Sequence, residues 1–122
     1  MDGKTILNII LIVLVAWFII SRFSPVRGVR NISGKELKRM IGQNNKQFID
    51  VRTPGEYRGN NMKGFRNIPL NELAHKAKQL DKNKEVVVLC QSGMRSKQAA
   101  KVLKKLGFQK ITNVSGGMNA CN

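Results

Sequence analysis

Val86-Val87-Val88-Leu89-Cys90-Gln91-Ser92-Gly93-Met94-Arg95-Ser96 is the stretch on which the fold turns. Three valines and a leucine in succession, with no polar alternation, describe a strand covered on both faces, as the inner strands of a parallel sheet are. Beyond it Ala99, Val102, Leu103 and Leu106 recur at helical spacing and Gly107 stops them. Cys90 to Ser96 is therefore the crossing from a buried strand into a helix, and Cys90 faces the amino end of that helix. Unpaired backbone N–H groups and the helix dipole converge there, and Arg95 adds a full positive charge. These conditions depress a thiol pKa and cradle an incoming anion, while Gly93 permits the positive φ that such a loop needs. The same residue also fits an inert role, since a free cysteine ending a core strand packs as a small hydrophobe.

Working outward, the pattern from about residue 31 alternates short apolar strands with amphipathic helices, which specifies an α/β domain with a mainly parallel sheet. Ser33-Gly34-Lys35-Glu36 is a capping box with Ile32 and Leu37 at the staple positions, so a helix is expected from Gly34 to about Ile41, closed by Gly42. Gln47 to Val51 reads as a strand, Leu70, Leu73, Ala74 and Ala77 as one helical face, and Ile111 to Val114 as the last strand. The run Val86 to Leu89 is expected at the centre of the sheet.

Four blocks in order give the domain a family likeness: Asp50-Val51-Arg52-Thr53-Pro54-Gly55-Glu56-Tyr57, Gly64-Phe65-Arg66-Asn67-Ile68-Pro69-Leu70, Cys90 to Ser96, and Gly116-Gly117-Met118. Over roughly residues 32 to 120 the chain resembles the single-domain rhodaneses. The resemblance implies a rhodanese-like parallel sheet flanked by helices and a sulfurtransferase that needs neither metal nor organic cofactor. Cys90 would take sulfane sulfur from a donor such as thiosulfate or a persulfide, hold it as a persulfide, and pass it to a thiol or cyanide, a ping-pong scheme. Gln91, Ser92, Gly93, Met94, Arg95 and Ser96 would form the substrate-binding loop, with Arg95 stabilising an anionic donor. Phosphatases and arsenate reductases of the same fold place the arginine one residue further from the cysteine, so the spacing Cys-x4-Arg favours a sulfur bonded to Cys90 over a tetrahedral oxyanion. The chain departs from the family pattern at Asn61-Met62, where His-Ile is usual, and at Cys121-Asn122, where a tryptophan and a further helix usually follow.

Asp50 and Arg52 follow a strand, and the carboxyl ends of parallel strands share one edge, so both are expected on the active-loop side. Their expected role is support: Arg52 pairing with Glu56 across the turn, Asp50 bonding loop amides or Arg95. His75 lies off the apolar stripe and is expected in solvent. Cys121 could resolve a Cys90 persulfide as a disulfide, though nothing in the spacing requires it.

The chain opens differently. Ile6 to Ile20 is apolar except for Asn8, and at 1.5 Å per residue it covers about 23 Å of a hydrocarbon core about 30 Å thick, so Thr5, Ser21 and Phe23 must extend it. Residues 1–23 then read as a transmembrane helix with flanks, 24–30 as a linker, and 31–122 as the domain. Trp17 and Phe18 suit an interface, and Arg22 can snorkel. A cleaved signal peptide is the competing reading, opposed by Asp2, which cancels Lys4, and by the want of a small-x-small site. Arg22, Arg27 and Arg30 after the run against Lys4 before it orient the domain to the cytoplasm, at the inner membrane of a bacterial-type cell.

Composition bounds the rest. The 122 residues are 42% apolar, enough for one small domain with an appendage, and two cysteines cannot make a disulfide scaffold. With 22 Lys+Arg against 7 Asp+Glu the net charge is +15, which suits anionic lipid or the steering of anionic donors. Nucleic acid is disfavoured, since no aromatic residues interleave with the basic ones. The rival to an enzyme is a membrane-tethered, non-catalytic module that recruits a partner or senses sulfur and oxidants through Cys90. The sequence gives no oligomeric state.

Overall fold

The computed structural model describes residues 2–23 and 28–121. An apolar helix, α1 (Gly3–Phe23), precedes an α/β domain built of β1 (Arg30–Ile32), α2 (Gly34–Met40), β2 (Lys46–Asp50), α3 (Pro54–Gly59), β3 (Arg66–Asn67), α4 (Leu70–Lys76), β4 (Glu85–Leu89), α5 (Met94–Lys105) and β5 (Ile111–Val114). Single turns of 3-10 helix follow α4 at Ala77–Gln79 and β5 at Gly117–Ala120. The five strands form one parallel sheet in the order β1-β5-β4-β2-β3, with β4 at its centre as expected.

The reason for that position is burial. Side chains alternate across a strand, so Val86, Val88 and Cys90 enter one core with Leu73, Ala99, Ala100 and Leu103, on the α4 and α5 side. Val87 and Leu89 enter the other, with Ile32, Leu37, Phe48, Phe65 and Val114, on the α2 side. All five residues from Val86 to Cys90 are fully buried. At about 1.5–3 kcal/mol for each large aliphatic side chain, this strand is the chief hydrophobic anchor of the domain. Phe48 and Phe65 meet edge to face at 5.4 Å between ring centres.

Local signals set the element ends. Ser33 caps α2 by accepting from the Glu36 N–H at 3.1 Å, and Ile32 and Leu37 share a core as a staple requires. Ile41 ends the helix and Gly42 follows at φ +92°. Ala74, expected on the buried stripe of α4, is exposed because the stripe narrows to Leu73 and Ala77 as the helix tightens into a 3-10 turn. His75 is exposed.

α1 is longer than the apolar run because Asp2 caps it, accepting from the Thr5 N–H and hydroxyl at 2.8 Å each. Its apolar side chains are exposed along its length, and it is long and apolar enough to cross a membrane, a property it shares with secretory leaders. Of the expected linker, residues 24–27 lie outside the described residues, as do the side chains of Arg22 and Phe23. Arg30, its last member, already belongs to the sheet.

Candidate active site

β4 ends at Leu89 and α5 begins at Met94, so Cys90 to Gly93 form the whole turn between them. Gly93 caps the helix at φ +101°, the left-handed region in which a side chain is strained. That conformation turns its N–H onto the Cys90 sulfur, N to Sγ 3.0 Å. The thiol also donates to the Ser96 hydroxyl at 3.4 Å, and that hydroxyl donates onward to Asn113 Oδ1 at 2.5 Å. Asn113 Nδ2 donates in turn to Asn31 Oδ1 at 3.0 Å, linking the sulfur to the far edge of the sheet. Ser92 and Met94 are exposed at the mouth.

The floor of the turn is supplied by the 3-10 segment after β5. Met118 N–H donates to the Cys90 carbonyl at 2.8 Å and Asn119 N–H to the Gln91 carbonyl at 3.1 Å. The approach is close enough that a Cβ on Gly117, itself at φ +58°, would stand 2.3 Å from the Cys90 carbonyl oxygen. This gives the Gly116-Gly117-Met118 block its physical reason.

Asp50 and Arg52 lie at the same sheet edge, as expected, but pair with each other. Arg52 Nη2 and Nε donate to Asp50 Oδ2 at 2.8 and 3.1 Å, and both residues are buried, at 2% and 0% exposure. Arg52 also donates to the Asn60 carbonyl at 2.6 Å and to Gln91 Oε1 at 3.1 Å. Gln91 completes the brace by donating from Nε2 to Asn119 Oδ1 at 2.6 Å, so its side chain is engaged at both ends. Asn67 holds the exit of β2 through the carbonyls of Asp50 and Arg52, at 3.0 Å each.

The expected partnerships are therefore exchanged. Glu56 meets Arg95, not Arg52, in a two-point clasp: Nη1 to Oε1 2.6 Å and Nη2 to Oε2 2.9 Å, with both side chains 34% exposed. Asp50 takes Arg52, not Arg95. The reason is local: Thr53 and Glu56 form a reciprocal capping box at the start of α3, with Pro54 in its first turn, and this aims the carboxylate toward the head of α5. Hydrogen bonding from Arg95 holds the Glu56 carboxyl down to about 2, and the same bond pushes the guanidinium further up.

Cys121 is not placed to resolve Cys90. It packs in the α2-side core with Met118, whereas Cys90 lies in the α4/α5-side core, and burial pushes its thiol pKa up. Two cavities border the loop, one of about 340 Å³ between Val51, Thr53, Pro69, Leu70, Asn71 and Arg95, the other of about 470 Å³ between Asn60, Gln91, Asn119 and Cys121. Sequence reasoning missed Glu56 as the partner of Arg95 and did not find Asn31, Asn67, Asn113 or Asn119. The Thr53-to-Glu56 spacing carried a signal for the first; the asparagines had none, because their roles arise only when distant strands meet.

Residues 33–122 match the family model described as a rhodanese-like domain. The chain is similar to YqhL of Bacillus subtilis (strain 168), 34% identical over 114 residues covering 90% of this chain and 89% of that one. It is also similar to the thiosulfate sulfurtransferase PspE of Escherichia coli (strain K12), 37% identical over 71 residues, 57% of this chain and 68% of that one. Among solved structures, a rhodanese-like domain protein from Staphylococcus aureus superposes with a TM-score of 0.70 at 28% identity, covering 76% of this chain and 91% of that one.

Proposed function

Because this chain belongs to the rhodanese-like family, whose activity is sulfur transfer, we propose that it is a sulfurtransferase whose nucleophile is Cys90. In the first half-reaction the Cys90 thiolate attacks the outer sulfur of a donor. With thiosulfate a Cys90 S–S bond forms, the bond to the sulfonate sulfur breaks, and sulfite leaves with the electron pair; with a persulfide the leaving group is a thiolate. In the second, cyanide or a thiolate takes the outer sulfur and the Cys90 thiolate returns. One cysteine performs both displacements, which is covalent catalysis in two steps.

The observation that carries this reading is the contact of Sγ with the Gly93 N–H at 3.0 Å, at the head of α5. The Gly93 N–H and the amino end of α5 converge on the sulfur that changes partners in the transfer, and Ser96 gives it a second polar contact. Gln91 and Arg52 act as braces for the turn, with Asp50 neutralising Arg52. α1 would tether the domain to the cytoplasmic face of the inner membrane, in line with the arginines that follow it.

The full chain, expressed with its membranes, is incubated with thiosulfate and cyanide. Thiocyanate should form with the wild type, sediment with the membrane fraction, and vanish with Cys90→Ala. Cys90 should carry one added sulfur by mass spectrometry before cyanide is supplied. A folded wild type that acquires no sulfur and yields no thiocyanate supports the non-catalytic module instead, and activity that stays soluble refutes the tether.

A further inference from the structure

The chain is strongly basic, yet the two arginines at its loop are each matched by a carboxylate. Asp50 neutralises Arg52 within the buried brace, and Glu56 neutralises Arg95 at the mouth. The second pairing matters for what enters. Arg95 is the second residue of α5, two positions past Gly93, lines the cavity of about 340 Å³, and is the arginine of the loop. Its guanidinium presents two parallel donors to the carboxylate, the arrangement in which arginine also grips an incoming oxyanion. The carboxylate and a sulfonate thus compete for one fork, and the carboxylate is covalently present.

From these contacts we infer that Glu56 is a specificity-determining positioning residue: by occupying the Arg95 fork it disfavours thiosulfate and directs Cys90 to persulfide donors. The inference rests on Cys90 being the sulfur-accepting nucleophile. Thiosulfate brings two negative charges to a mouth whose arginine is already matched, and it must approach a thiolate. An organic persulfide brings a single charge on its sulfur and no sulfonate oxygens for the fork to grip, so the loss of the fork to Glu56 costs it less. Glu56 does not move aside easily, because Thr53 N–H and hydroxyl also donate to its Oε1, at 3.2 and 3.1 Å.

The experiment measures sulfur loading of Cys90 in the full chain from thiosulfate and, separately, from cysteine persulfide, as the ratio of second-order rate constants. In the wild type the persulfide should be preferred by at least about tenfold. Glu56→Gln retains an acceptor oxygen for the α3 cap but loses the charge. It should raise the thiosulfate constant about tenfold relative to the persulfide constant, the size of one charge-assisted hydrogen bond, and chiefly through KM. In an Arg95→Met background the same change should leave the ratio within twofold. Glu56→Ala repeats the test without any side chain able to re-engage the fork, and thermal melting checks that each variant is folded. A wild type that prefers thiosulfate, a ratio unmoved by both Glu56 variants, or an equal shift without Arg95 overturns the inference while leaving Cys90 as the nucleophile. A wild type that loads from neither donor overturns both.

Discussion

Removing the guanidinium from beneath the active turn tests how far the fold depends on one buried ion pair. Arg52→Met keeps the length and much of the volume of the side chain but leaves the Asp50 carboxylate, fully buried, with the residue 52 backbone N–H at 3.0 Å as its one remaining donor among the described residues. An uncompensated buried charge of this kind costs about 3–5 kcal/mol. A domain of this size has on the order of 5–14 kcal/mol in all, so the variant should melt roughly 15–30 °C below the wild type. The charge, more than the lost volume, is the argued cause, and a double variant separates them. Asp50→Asn/Arg52→Met removes the charge while the amide oxygen still accepts the residue 52 N–H. It should recover about 2 kcal/mol, short of full recovery because Gln91 Oε1 and the Asn60 carbonyl still lack their donor. Urea unfolding and calorimetry on all three chains give the numbers. A single variant that costs under about 1 kcal/mol, or a double variant no more stable than the single, refutes the reasoning.

The Glu56 clasp should show in acid. Its folded carboxyl titrates near 2 against an ordinary 4.5, so the pair's contribution is complete above pH 4.5 and is lost as pH falls from there through 2. The melting-temperature gap between wild type and Glu56→Gln should therefore narrow across that window, and a gap independent of pH contradicts the assignment. Gly117→Ala should abolish sulfur loading and destabilise by at least about 1–2 kcal/mol from its left-handed φ alone, with the contact at 2.3 Å adding to it. Gly55→Ala in α3, where a Cβ meets nothing within 4 Å, is the control and should be neutral or slightly stabilising in the same melts.

What the sequence made legible follows from the range of each signal. The run Val86 to Leu89 announced the central strand because burial on both faces removes every polar alternation. Ser33 and Gly42 announced the ends of α2, and Ile111 to Val114 matched β5 residue for residue. By contrast β1 and β3, three and two residues long, are too short to carry a period, and exist because β5 and β2 offer them edges. α3 escaped although Thr53-Pro54-Gly55-Glu56 is a capping box, because one and a half turns expose no apolar face. The position of Cys90 was readable from strand and helix alone; which acid faced which arginine was not. Asp50 stands two positions before Arg52 and Glu56 four after it, both within reach, and the direction of α3 decides between them.

The support of the cysteine turn by Met118 and Asn119 has a bearing on synthesis. Gln91 and Asn119 are 28 positions apart, and β5 must pair with both β4 and β1 before the tail can reach the turn. A ribosome that has released Cys90 but still shelters residue 119 in its tunnel therefore holds a thiol without its finished surroundings. The cysteine turn would take its final shape only after residues 118 and 119 have reached it.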